Sequence, residues 1–319
     1  MSHKVLKSIA WLSCLYFITI GALSAQQSNF SKVEQDESYS FNYQWQDQLQ
    51  NQQNISFSLP KKALFSRFRN FKAYKAEFAE QYVAQQIRRK LMESPIPNVQ
   101  VNFRKQRGKI TLDIKSTDAA LIGKAYEKIA KMEQELTTEF LKQNHYQTFT
   151  TYDNTKGIKP NHRAIAQATV MDLKPLREPI LNKVSIKNIR KVTDYTLGFV
   201  QSIPYSALES RISSSGAGFS TPLKLLWENQ GDCDSKVTLT GALLRTLMPR
   251  VKIIFIFIEQ HALIGIDVPA RAGETSIAHN GTNYLLAEPT GPASLLLGKI
   301  APQSKLAIDN KHYIVEEFF

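Results

Sequence analysis

Residues 251–288 restrict the architecture more than any other part of the chain. "VKIIFIFI", "HALIGIDV", "TSIAH" and "NYLLAE" are four strand-length runs in close succession. Connections this short join antiparallel neighbours, because a parallel crossover needs about a dozen residues or more. Asn280-Gly281 lies between the last two runs, and that pair suits a tight hairpin turn whose central residues need positive φ. Helical segments precede the strands. "VTDYTLGFVQSI" ends at Pro204. "TPLKLLWENQG" opens at Thr221, with Pro222 at its first helical position, and closes at Gly231. The next runs from about Asp234 to Leu247 and stops at Pro249. "HYIVEEFF" predicts a further strand. Helices followed by an antiparallel sheet define an α+β unit over residues 181–319.

The rest of the chain divides by composition and period. At 319 residues there is room for two domains. Residues 55–150 read in the order β-α-β-β-α, a small α+β domain of unassigned role. "ISFSL" alternates as a strand. Tyr74, Phe78, Tyr82, Ile87 and Leu91 recur at helical spacing over 71–92, and "SPIPN" stops that helix. "VQVNF" and "ITLDIKS" flank "RKQRGK" as a hairpin. Asp118 caps a long helix carrying Leu121, Ala125, Ile129, Met132, Leu136 and Phe140 on one face. Residues 151–180 are polar with Gly and Pro and read as a linker. Residues 26–54, rich in Gln, Asn and Ser, read as a poorly ordered lead-in.

The N-terminus points to export. "MSHKVLK" is basic, "SIAWLSCLYFITIGAL" is apolar and "LSAQQ" offers small residues for cleavage after Ala25, the layout of a secretory signal over 1–25. The apolar run is short for a membrane span, and an uncleaved anchor is the alternative. The expected location is periplasmic or otherwise extracytoplasmic. The net charge of +12 falls to +10 when Lys4 and Lys7 leave with the signal. A basic exported surface meets anionic lipid, lipopolysaccharide or cell-wall polymer rather than nucleic acid.

Cleavage also removes Cys14 and leaves Cys233 as the one thiol. An oxidising compartment pairs or eliminates spare thiols, so a lone one in the polar setting "GDCDSK" points to use. It sits where a helix begins, beside unpaired backbone N–H groups and the positive end of the helix dipole, both of which favour thiolate. Thiolate is the nucleophile of acyl transfer. A base is then required. His3 leaves with the signal, His145 and His162 fall in or near the linker, His279 adjoins the Asn-Gly turn, and His312 begins the terminal strand. His261 opens an apolar strand one tight turn after its neighbour. Glu288 ends another strand before Pro289 and supplies the acid that orients an imidazole. Gln201, Tyr205, Trp227 and Gln230 are candidates for a second oxyanion donor or a substrate contact, and "SSSGAGFSTP" for a flap or an ordinary surface loop. One cysteine without a second nearby, and no His-x-x-x-His spacing, predict no metal site. No phosphate-loop or dinucleotide fingerprint occurs, and no cofactor is expected.

"GDCDSKVTLTGALLRTLMP", "HALIGIDVP" and "YLLAEPTGP" together resemble the transglutaminase-like superfamily, including its bacterial transglutaminase-like cysteine proteinases. The resemblance covers about 190–300 and extends upstream to "FVQSIPY". It implies a transglutaminase/papain-like core, with the nucleophile on Cys233, the histidine on His261 and the acid on Glu288. The family's usual acid is aspartate; glutamate is one methylene longer. The implied chemistry is attack on a peptide or glutamine carbonyl through a Cys thioester, with a protein or peptide of the cell envelope as substrate. Water as acceptor makes a protease or amidase, and a lysine amine makes a cross-linking transglutaminase. A non-catalytic envelope scaffold on the same fold is the alternative of another class.

Overall fold

A computed structural model describes residues 27–106, 109–209, 218–291 and 294–319. The signal segment and most of "SSSGAGF" lie outside the described residues.

Residues 27–60 correct the expectation of a poorly ordered lead-in. They form an antiparallel meander of β1 (Gln27–Glu34), β2 (Ser38–Gln46) and β3 (Gln52–Pro60). Alternation hidden inside a polar composition is the cause. Phe41, Tyr43 and Trp45 on β2, with Ile55, Phe57 and Leu59 on β3, share one face, and none is more than 6% exposed. Ser and Asn occupy the other face, where Ser40 pairs with Ser58 and Ser56 donates to Asn42. "ISFSL" is thus part of this sheet rather than of the small domain.

After α1 (Lys61–Ser66), the small unit comprises α2 (Ala76–Glu93), β4 (Gln100–Gln106), β5 (Lys109–Lys115) and α3 (Ala119–Gln143). Both helices cover one face of the hairpin around Val83, Ile87, Ile114, Ala125, Ile129 and Leu136. Asp118 caps α3 by accepting from the Ala120 N–H. Helix α2 begins at Ala76 rather than 71, and Phe78, expected on its apolar face, is 58% exposed.

The expected linker is also structured. β6 (Tyr146–Thr150) and β7 (Lys156–Pro160) form a hairpin, followed by α4 (His162–Thr169), a 3-10 turn at Lys174–Leu176 and α5 (Arg177–Leu181). Ala166, Leu173, Leu176 and Ile180 are fully buried and join the main core.

That core lies between helices α6 (Ile189–Ser202), α7 (Pro222–Glu228) and α8 (Cys233–Leu247) and a five-stranded antiparallel sheet. The sheet is built from β8 (Ile253–Ile258), β9 (His261–Ile266), β10 (Ser276–His279) and β11 (Thr282–Ala287). Helix α9 (Pro302–Asp309) follows, and β12 (Ile314–Phe318) completes the order β10-β11-β9-β8-β12. Helix α8 is buried at every residue from Ser235 to Leu247. A Cβ at Gly241 would sit 2.4 Å from the Phe255 ring, so glycine lets α8 lie close on β8. Phe255 and Ile264 face the helices, whereas Ile254, Ile256 and Leu263 face a second cluster closed by Ile308 of α9. The chain is a mixed helix–sheet protein with an antiparallel sheet. No described helix is long and apolar enough to cross a membrane.

The N-terminal meander is part of this core: Trp45 meets Tyr195 and Phe199 of α6, and the Tyr43 hydroxyl donates to the Leu226 carbonyl at 2.8 Å. Trp45→Ala is expected to cost about 3–5 kcal/mol in urea unfolding of the whole core. A loss under about 1 kcal/mol would mean that the meander is not integral to it.

Candidate active site

The three sequence-selected residues meet where α8 starts against the sheet. Helix α7 ends at Asn229 in the left-handed region (φ 51°). The chain is then pinned by a parallel bridge between Tyr205 and Gly231, with Gly231 N donating to Pro204 O and Ser206 N to Gly231 O. Asp232 caps α8 by accepting from Ser235 N at 3.1 Å, and Ser235 Oγ accepts from Ser220 N at 2.7 Å. These bonds place Cys233 at the first helical position, where backbone N–H groups lack intrahelical acceptors.

His261 opens β9 after a tight turn at Gln260 (φ 56°). Its Nδ1 stands 3.0 Å from Cys233 Sγ. On the ring's other side, Nε2 lies 3.8 Å from Glu288 Oε1, an ion-pair separation longer than a hydrogen bond. Glu288 follows β11, is 3% exposed and accepts from Ala301 N at 3.1 Å, at the start of α9. The longer glutamate side chain therefore reaches the imidazole from a position fixed by a helix N-terminus.

Electrostatics follow from this arrangement. Burial works against charge on His261, but the Cys233 sulfur and the Glu288 carboxylate outweigh it and raise the imidazole to about 10. Burial likewise pushes Glu288 up, yet His261, Ser304 and the Ala301 N–H hold it below the ordinary carboxylate range. Because the His261 value lies above the ordinary 6.5, its stabilising contribution is complete below about pH 6.5 and is lost as pH rises through about 10.

More charge surrounds Cys233 than its sequence neighbourhood suggests. Burial and neighbouring Asp234 raise Asp232 to about 7. Lys236, fully buried one turn into α8, donates to the Ile203 carbonyl, and burial lowers it to about 8. His162, expected near a linker, is fully buried between Phe219 and Phe257, with Nε2 3.5 Å from Asp234 Oδ2. Burial opposes the Asp234 carboxylate, but His162, Lys159 and His261 keep it below its usual value. Sequence carried no local signal for these pairings, since His162 and Asp234 are 72 residues apart. The Ala301–Pro302 helix start was visible as a proline at a first helical position.

The four accessory candidates separate. Tyr205 is 55% exposed and lines the cleft of about 620 Å³ that also holds Cys233, His261 and Glu288. Gln201 is not a free donor: its Nε2 donates to the carbonyls of Glu288 and Leu295, both at 2.8 Å, and its Oε1 accepts from Gln48. It ties α6 to the chain segment carrying the acid. Gly291 completes that contact, because a Cβ there would meet the Gln201 carbonyl oxygen at 2.5 Å. Trp227 packs edge-on against Tyr39 and Phe65, with Lys32 Nζ 3.6 Å over its ring, and does not line the cleft. Gln230 is half-buried in the turn before Gly231 and does not line it either.

Among the described residues, no group of three or more His, Cys, Asp or Glu side chains could hold a metal ion. Comparison with protein-family models, with curated proteins and with solved structures finds no match to this chain.

Gln201→Met keeps the side-chain length but strands two carbonyls. It is expected to destabilise the protein by about 1–3 kcal/mol in urea unfolding. An unchanged midpoint would show that Gln201 does not anchor the Glu288 segment.

Proposed function

We propose that this protein is an exported cysteine-dependent acyl-transfer enzyme with a transglutaminase/papain-like core, acting on peptide or glutamine carboxamide bonds of the cell envelope. The observation that carries the reading is the 3.0 Å approach of His261 Nδ1 to Cys233 Sγ, with Glu288 on the far side of the ring. Export rests on the basic, apolar and small-residue order of 1–25.

The thiolate of Cys233 attacks the carbonyl carbon and forms a C–S bond, sending the carbonyl electrons to oxygen. The backbone N–H of Cys233 is one donor to that oxyanion, and Tyr205 is the candidate for the second. As the C–N bond breaks, the His261 imidazolium gives its proton to the departing amine or ammonia. Water then adds to the thioester, its proton returns to His261, and the carboxylic acid leaves as thiolate is restored. Glu288 holds the ring and stabilises its charged form throughout. Water is the favoured acceptor because Cys233 stays partly exposed, and water reacts by default unless a site excludes it and admits an amine.

Incubation with a glutamine-containing peptide and a labelled amine tests reaction and acceptor together. Deamidated or cleaved peptide is expected to exceed amine-linked product, and Cys233→Ala to lose at least about a thousandfold in rate. Excess amine incorporation would make the enzyme a transglutaminase, and unchanged turnover in Cys233→Ala would overturn the enzyme reading. The rate should fall as pH rises through about 10, where His261 loses its proton. Glu288→Gln removes a charge that raises that value, so its alkaline limb should move down by about one pH unit. A limb that stays in place would remove Glu288 from the site.

A further inference from the structure

One wall of the cleft takes no part in the bond-making steps. Helix α9 turns Ser304 toward Glu288 and Ile308 into the sheet core, which leaves Leu306 between them in sequence but 63% exposed. Leu306 lines the cavity with Ala301, Ala307 and Ile258 from the end of β8. At the cavity's edge Tyr152, from the β6–β7 turn, stacks on His312 with centroids 4.6 Å apart and planes 9° from parallel. Glu259 lines the cavity beside Ile258, and no Lys or Arg does among the described residues.

Leu and Tyr side chains gathered in one concavity form the mostly apolar lining, with a few polar groups, that ligand pockets use. A cavity of about 620 Å³ is also larger than a reacting carboxamide needs and lies within the range of ligand sites. Glu259 at the rim, with no Lys or Arg beside it among the described lining residues and with His261 already flanked by Cys233 and Glu288, disfavours an acidic group there.

We infer that this wall is a subsite for a large apolar side chain, aromatic or branched aliphatic, carried by the acyl donor next to its reacting carbonyl. Leu306 is its central contact, and the Tyr152–His312 stack forms its outer edge. The inference rests on the acyl-transfer reading of Cys233 and narrows it to a substrate class. The site selects against donors with Asp or Glu at that place.

Peptidyl chloromethyl ketones bearing Phe or Asp beside the ketone test it, with each alkylation rate divided by the same protein's rate with iodoacetamide. Intrinsic reagent reactivity is removed by the parallel rates with glutathione. The Phe reagent is expected to label Cys233 at least about tenfold faster than the Asp reagent. Leu306→Asn should reduce that preference to about threefold or less, and His312→Ser should slow the Phe reagent more than a Leu reagent. Leu306 and His312 are surface positions, so both variants should keep the wild-type unfolding midpoint. A wild-type ratio near one, or a ratio unaltered by Leu306→Asn, overturns the subsite. An iodoacetamide rate no faster than that of glutathione counts instead against the acyl-transfer reading, and the Phe-to-Asp ratio is still readable in that case.

Discussion

The site depends on a helix that is buried along its whole length except at its first turn. Helix α8 has no solvent face from Ser235 onward, so its direction is set by core packing against α4, α6, α7 and β9 rather than by local propensity. Gly241 allows that packing to be close. Cys233 is consequently delivered to a fixed point at the edge of the core, and β9 delivers His261 to the same point from a sequence distance of 28 residues. Neither side chain sits on a mobile tip. Each stands at the end of a rigid element, which fixes the separation of sulfur and imidazole.

Charge is the second constraint. Burying an imidazolium is unfavourable unless anions accompany it, and His261 lies between the Cys233 sulfur and the Glu288 carboxylate. Glu288 is in turn held at its carboxylate by the N-terminus of α9 and at its backbone carbonyl by the Gln201 side chain, so the acid is positioned from two sides. Asp232 and Asp234 would add negative charge beside the Cys233 sulfur. Lys236 and the buried His162 and Lys159 supply compensating donors in the same neighbourhood. The two aspartates that flank Cys233 in the first turn of α8 thus stand among positive groups.

Much of the C-terminal unit was legible because its signals are local. Pro222, Gly231, Pro249 and Asn280-Gly281 punctuate elements within a few residues of themselves, and the strands they bound are continuous apolar runs. Cys233, His261 and Glu288 were legible because each stands at an element boundary with an atypical residue type. The N-terminal meander was not. Its Gln, Ser and Asn residues dominate the composition, while Phe41, Tyr43 and Trp45 alternate beneath them and find their partners on α6 and α7, 150 residues or more away. The supposed linker failed for the same reason, since Leu173, Leu176 and Ile180 are too sparse to show a period but enough to join an existing core. Gln201 and Trp227 were misplaced because sequence shows a polar or aromatic residue near the nucleophile without showing which way it faces.

The most direct test of the central claim is a ¹³C or ¹⁵N NMR titration of the His261 ring in the intact protein and in Cys233→Ala. The account requires the ring to keep its proton up to about pH 10 in the intact protein and to lose it at clearly lower pH once the sulfur is gone. A ring that titrates near the ordinary value of about 6.5, with or without Cys233, would show that sulfur and imidazole do not form a working pair.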